Sequence, residues 1–141
     1  MTVLVLDAEA LNVLATNGRG EQRVRAAITA AVNQSASVVV PAAILAELYR
    51  GGRYDQQIDA CLARRGGIDI ALTDRTLARR IGHILAAAGL GSAHLADAHT
   101  VAVAISRGGG VVVTGDPDDI GRLAAPHASV VVTSLHRTSG H

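Results

Sequence analysis

VLVLDAEAL, residues 3–11, reads as a short apolar strand that ends at an acid and turns directly into a helix. Val3–Leu6 is a continuous β-type run, and Ala8–Thr16 carries a helical pattern as far as the Asn17–Gly18 breaker. The same alternation continues outward. Glu21–Val32 is expected to be a helix with Val24, Ile28, Ala31 and Val32 on one side. Ser37–Val40 is a second strand, stopped by Pro41, which suits the first turn of a helix over Ala42–Arg50. Gly51–Gly52 ends that helix and Tyr54–Arg64 forms the next, followed by the Gly66–Gly67 punctuation and a third strand, Ile68–Leu72.

In the second half, Thr73 or Asp74 can cap a long helix that reaches Ala88 and stops at Gly89 and Gly91. Leu95–Ser106 is an Ala/Val-rich helix, Val111–Thr114 a fourth strand, Pro117–Leu123 a short helix and Val130–Thr133 a fifth strand. Five short apolar strands separated by helices predict an α/β domain with a mainly parallel five-stranded sheet covered by helices on both faces. With no internal repeat or linker, residues 1–133 are expected to form one domain and residues 134–141 a polar tail. In such sheets ligands bind beyond the carboxyl ends of the strands, where strand order switches.

Composition narrows the chemistry. The 141 residues include no lysine, so all thirteen basic side chains are arginine. This excludes a Schiff-base lysine, a phosphate-loop lysine and a lysine general base. The Arg, Ala, Gly and Val preference points to a high-GC genome. Cys61 stands alone, which excludes an intramolecular disulfide and a Cys-rich zinc site. No apolar run approaches the ~18 residues of a membrane span, and the N-terminus lacks the features of a signal peptide. A soluble cytoplasmic protein is therefore expected.

Of twelve acids, four adjoin the most apolar segments: Asp7 after VLVL, Glu47 in PAAILAELYRGG, Asp97 in HLADAHTVAVA and Asp116 after VVVTG. Asp7 and Asp116 follow strands and precede helices; Asp7 reads equally as a helix N-cap, and for Asp116, followed by Pro117, capping is the favoured reading of the residue taken alone. Asp97 shares a helical face with Val101, Ala104 and Ile105, or caps its helix if that helix starts later. Glu47 lies within a helix and cannot cap it; an ion pair with Arg50 or Arg53 is the alternative to a site role. If the fold gathers these acids, each pair at ~5 Å repels by roughly 3 kcal/mol at an effective dielectric near 20. An oxygen-only set of this kind suits Mg²⁺ or Mn²⁺.

The ordered stretches VLVLDAEAL, VPAAILAELYRG, LADAHTVAVA and VVVTGDPDDI resemble the PIN-domain nucleases, and most closely the VapC ribonuclease toxins of type II toxin–antitoxin systems. The resemblance runs from the first strand to the fifth. It implies a Rossmann-like three-layer fold, Mg²⁺-dependent endonucleolytic cleavage of structured RNA such as tRNA or rRNA, a homodimer, and neutralisation by a VapB-type antitoxin. Asp7, Glu47, Asp97 and Asp116 match the family's acidic quartet, with Asp7, Asp97 and Asp116 as metal ligands. Thr114 matches a pocket-lining hydroxyl residue and Asp119 a further acid. Ala8 departs from the pattern, since many relatives carry Ser or Thr after the first Asp. The implied reaction is in-line hydrolysis leaving a 5′-phosphate and a 3′-hydroxyl, with no histidine or lysine base.

RNA contacts are less legible. Without Phe or Trp no base-stacking platform is evident. Arg50 and Arg53, and the helix face bearing Arg75, Arg79 and Arg80, read either as phosphate ligands or as solvated charges. His94 and His99 flank Asp97 but read as surface or core residues, and His127, His136 and His141 carry no motif. Two rival functions remain: an inactive PIN-fold module that binds RNA or antitoxin, and a Mg²⁺-dependent aspartyl phosphotransferase. The second normally wants another Asp where Glu9 stands, and a lysine.

Overall fold

The computed structural model describes residues 1–64 and 67–136. Its elements are β1 (Val3–Leu6), α1 (Ala8–Thr16), α2 (Glu21–Asn33), β2 (Ser37–Pro41), α3 (Ala42–Leu48), α4 (Gly52–Arg64), β3 (Asp69–Ala71), α5 (Arg75–Ala88), a 3₁₀ turn at Ser92–His94, α6 (Leu95–Ser106), β4 (Gly110–Thr114), α7 (Pro117–Ala124) and β5 (Val130–Ser134). The strands lie in the order β3-β2-β1-β4-β5 and every neighbouring pair is parallel. From β1 the chain builds outward to β2 and β3, then crosses back to add β4 and β5. The switch in strand order therefore falls between β1 and β4, where a crevice opens beyond the strand ends.

The unbroken apolar strands explain the layers. Successive side chains of β1 point to opposite faces. Leu4 and Leu6 join a core with α1, α2, α3 and α4, through Leu11, Leu14, Val24, Ile44 and Ile58 among others. Val3 and Val5 join a second core with α5, α6 and α7, through Ile81, Ile84, Val101, Ile120 and Leu123. Helices thus cover both faces, and a strand with a polar side would leave one core unfilled.

Helix ends follow local chemistry. Asp74 caps α5 by accepting from the Leu77 N–H at 2.8 Å, and Gly89 closes it in the left-handed region at φ 68°. α3 stops at Leu48, short of the expected Arg50, because Tyr49 turns extended (φ −62°, ψ 122°). The Arg50 guanidinium then donates to the carbonyls of Ala46 (3.0 Å) and Tyr49 (2.6 Å), and the Asp55 carboxylate accepts from the N–H groups of Arg50 and Gly51. Arg50 is therefore occupied with the end of α3. The third strand is shorter than Ile68–Leu72, and Leu72 beyond it is 77% exposed.

The expected tail over residues 134–141 needs correction at its start. β5 runs through Ser134, and Leu135 is fully buried. Its N–H donates to the Thr114 carbonyl at 3.0 Å, which extends pairing along β4. An apolar residue beyond the strand was available to cover the end of the core beside Gly20. Residues 137–141, including His141, and Gly66 lie outside the described residues. Among the described residues no helix is long and apolar enough to cross a membrane.

One glycine in the sheet has a large expected effect on stability. A Cβ on Gly110 would lie 1.9 Å from the Val3 carbonyl oxygen and 2.8 Å from its carbon, both backbone atoms of the paired strand. Gly110→Ala should force β1 and β4 apart and cost about 3 kcal/mol or more. Chemical denaturation of the variant measures this; a loss below about 1 kcal/mol would contradict the close approach.

Candidate metal centre

Asp7 leaves β1 at its carboxyl end and enters α1. It is 6% exposed, and its two oxygens are separately held: the Ala10 N–H donates to Oδ1 at 2.8 Å and the Gly115 N–H to Oδ2 at 3.1 Å. The first bond is an N-cap; the second comes from the end of β4, across the switch point. Cap and site are therefore not alternatives, because capping fixes the carboxylate at the mouth of the crevice. Burial pushes the Asp7 carboxyl up from its ordinary value, while Thr114 and the two N–H groups pull it back.

Thr114 is fully buried at the end of β4, and its hydroxyl accepts from the Asp116 N–H at 2.7 Å. This bond bends the chain outward so that Asp116 caps α7, accepting from the Asp119 N–H at the long distance of 3.5 Å. Pro117 at the start of α7 suits this entry, since its missing N–H would have no helical partner. Asp119 is in the first turn of α7. Asp97 is in the first turn of α6, which begins at Leu95 as expected, so Asp97 is helical and not the cap.

These elements converge. One oxygen from each of Asp97, Asp116 and Asp119 lies within 4.8 Å of the others. Asp97 titrates at about 6: burial is the main cause, followed by the charges of Asp116, Asp7 and Asp119, with His94 acting in the opposite sense. Asp116 is also raised, by desolvation and then by its contact with Asp119. Carboxylates crowded from α1, α6 and α7 in this way repel each other unless protonated or bridged by a cation. The residues fit a hard divalent ion with oxygen ligands and retained waters.

The sequence matches the PIN domain family over residues 4–126. The chain belongs to the PIN-domain family. No curated protein matches it in sequence. Several solved structures share the PIN fold: DNA-bound VapBC from Salmonella typhimurium, with TM-score 0.67, 19% identity, and coverage of 96% of this chain and 100% of that one; VapBC2 from Rickettsia felis bound to a DNA fragment from their promoter, with TM-score 0.65, 13% identity and coverage of 94% and 98%; and VapBC-1 from nontypeable Haemophilus influenzae, with TM-score 0.63, 15% identity and coverage of 96% and 100%.

Within this PIN domain the sequence-derived site residues divide. Asp7, Asp97, Asp116 and Thr114 meet at the switch point, and Asp119, read as a further acid, stands in the tight group of three. Glu47 does not join that group. It is exposed in the last turn of α3, so the cost of burying its charge does not arise. Two neighbours were not assigned a role from sequence. His94 occupies the N-cap position of α6 without a side-chain cap; its Nε2 lies 3.4 Å from Asp119 Oδ2, and its buried Nδ1 has no hydrogen-bond partner among the described residues. Glu9 lies against Gly115 and meets His136 Nε2 at 3.1 Å. The only hint in the sequence was proximity, His94 to Asp97 and Glu9 to Asp7. His99, by contrast, is a core residue: its Nδ1–H donates to the Leu95 carbonyl at 2.8 Å and Nε2 accepts from Thr73 at 3.1 Å.

Proposed function

We propose that this PIN domain is a metal-dependent endoribonuclease toxin of the VapC type, acting in the cytoplasm on structured RNA as a homodimer and silenced by a VapB-type antitoxin. The observation that carries the reading is the convergence of Asp97, Asp116 and Asp119 beside Asp7 at the β1/β4 switch point. The similarity to solved VapBC structures over nearly the whole chain supports the partner.

In this reading Asp7, Asp97 and Asp116 hold the ion, with Asp119 completing the carboxylate group. Bound there, Mg²⁺ or Mn²⁺ would polarise a phosphoryl oxygen and lower the pKa of an attacking water. The chain's own contribution is placement. The Ala10 and Gly115 N–H groups fix both Asp7 oxygens at the end of β1. Thr114 holds the turn that presents Asp116 and Asp119 together. Glu47, on the helix that follows β2, is assigned the outer edge of the pocket, where an exposed carboxylate can hold water or a second ion.

Purified protein should cleave a structured RNA such as bulk tRNA when given Mg²⁺ or Mn²⁺, and EDTA should abolish cleavage. Undiminished cleavage in EDTA would remove the metal from the reading. Expression should slow growth, and co-expression of a cognate VapB-type antitoxin should relieve it. RNA binding without cleavage under all divalent conditions would favour the inactive binding module instead.

A further inference from the structure

α1 ends at Asn17 in the left-handed region (φ 56°), and the chain doubles back through Gly18, Arg19 and Gly20 into α2. This loop, the first turn of α2 and the Leu135–His136 segment enclose a cleft of about 860 Å³, the size of a ligand pocket. Its floor is tightly built. Gly20 has φ 93°, and a Cβ there would lie 2.8 Å from Leu135 Cδ1 and 3.0 Å from the Leu135 carbonyl oxygen. Since Leu135 is fully buried, the loop rests on the core and does not hang free.

The lining is cationic. Arg19 and Arg23 are exposed on it, and among the described residues neither pairs with a carboxylate. The one acid in the lining, Glu21, is engaged by Arg25 on the next turn of α2. His136 lines the cleft and points the way to the metal centre through Glu9. Its Nε2 meets Glu9 Oε1 at 3.1 Å, Glu9 packs on Gly115, and the Gly115 N–H holds Asp7 at 3.1 Å. A cleft bearing two arginines is thus linked to the carboxylate site through His136, Glu9 and Gly115.

We infer that this cleft binds the phosphodiester backbone of the RNA next to the bond that is cut, with Arg19 and Arg23 as its phosphate ligands. The inference rests on the nuclease reading above and names the residues that give it substrate. Arginine forks suit phosphate oxygens, and a chain with no Phe or Trp to stack bases must take its RNA affinity mainly from such contacts. The carboxylate group repels RNA by itself, so a neighbouring cationic cleft is needed to bring a phosphate to it.

The test is fluorescence anisotropy of a labelled single-stranded RNA oligonucleotide in EDTA, so that nothing is cut, across about 50 to 200 mM salt. Arg19→Gln/Arg23→Gln should weaken binding about tenfold or more and reduce the slope of log affinity against log salt by about 1.4, two contacts at roughly 0.7 each. Arg64→Gln, exposed in the last turn of α4 and outside the cleft, should leave both unchanged; circular dichroism checks the fold of each. An unaltered slope in the double variant, or an equal loss in Arg64→Gln, overturns the assignment. So does a double variant that keeps RNA but loses a labelled poly-glutamate peptide, which would make the cleft a protein-docking site. Cleavage by the unsubstituted protein is measured alongside. Arginine-dependent binding without cleavage would fail the nuclease reading alone, and cleavage with a KM indifferent to both arginines would fail the cleft alone.

Discussion

Asp97→Asn should lower Mg²⁺-dependent RNA cleavage by at least about 10²–10³-fold, the scale associated with losing one preorganised electrostatic contact to a developing charge. This variant is the decisive one for a structural reason. The Asp97 carboxylate is half-buried against Asp116, Asp7 and Asp119, and among the described residues it takes no backbone hydrogen bond that the amide would break. Asp7→Asn should inactivate at least as strongly, but its meaning is mixed. The new amide would place an NH₂ against the N–H of Ala10 or of Gly115, and losing the cap alone costs about 1 kcal/mol. Glu47→Gln should have the smallest effect of the acidic variants, because Glu47 is exposed and outside the group of three. Gel-based cleavage of the same RNA by all variants measures the order. Equal rates for Asp97→Asn and unsubstituted protein would sink the metal-site assignment.

The same substitution should stabilise the metal-free protein at neutral pH, by roughly 2–6 °C in melting temperature. The folded Asp97 titrates at about 6 against an ordinary 3.8, so between those values the folded state binds more protons than the unfolded state. Stability from this group is therefore fully present below about 3.8, falls as pH rises through the window, and is lost above about 6. Asparagine carries no charge and escapes that loss. The gain should accordingly be visible at pH 7 and vanish near pH 4. Adding Mg²⁺ at pH 7 should reverse the order, since a ligand of the folded state alone raises only the protein that binds it. Thermal melts at both pH values, with and without Mg²⁺, give the comparison; a variant less stable than the parent at pH 7 without metal would contradict crowding among the carboxylates. Loss of activity together with a gain in stability is the signature of a residue kept for its site.

Much of this was legible from residue order. The strand at Val3–Leu6, the caps at Asp74 and Asp116 and the span Leu95–Ser106 depend on neighbours a few positions away, which a linear reading sees. One error fell where a distant contact intervened, the other where a helix stopped sooner than its pattern suggested. Leu135 looked like the start of a tail because nothing local says that Gly20 and Thr114 will hold it. Arg50 looked like a partner for Glu47, whereas the exposed carbonyls at the end of α3 claim it.

By itself the sequence determined that the sheet would be parallel and covered on both faces, because five apolar strands joined through helices have no other way to bury their sides. It also determined which acids end strands and begin helices. Only the tertiary structure decided which of them meet. The crossing from β3 back to β4 sets the end of β4 beside that of β1, so Gly115 reaches Asp7 and α6 brings Asp97 to Asp116 and Asp119. Asp119 entered the group and Glu47 stayed outside it because periodicity fixes the face a side chain takes on its own element, while packing between elements decides what that face meets.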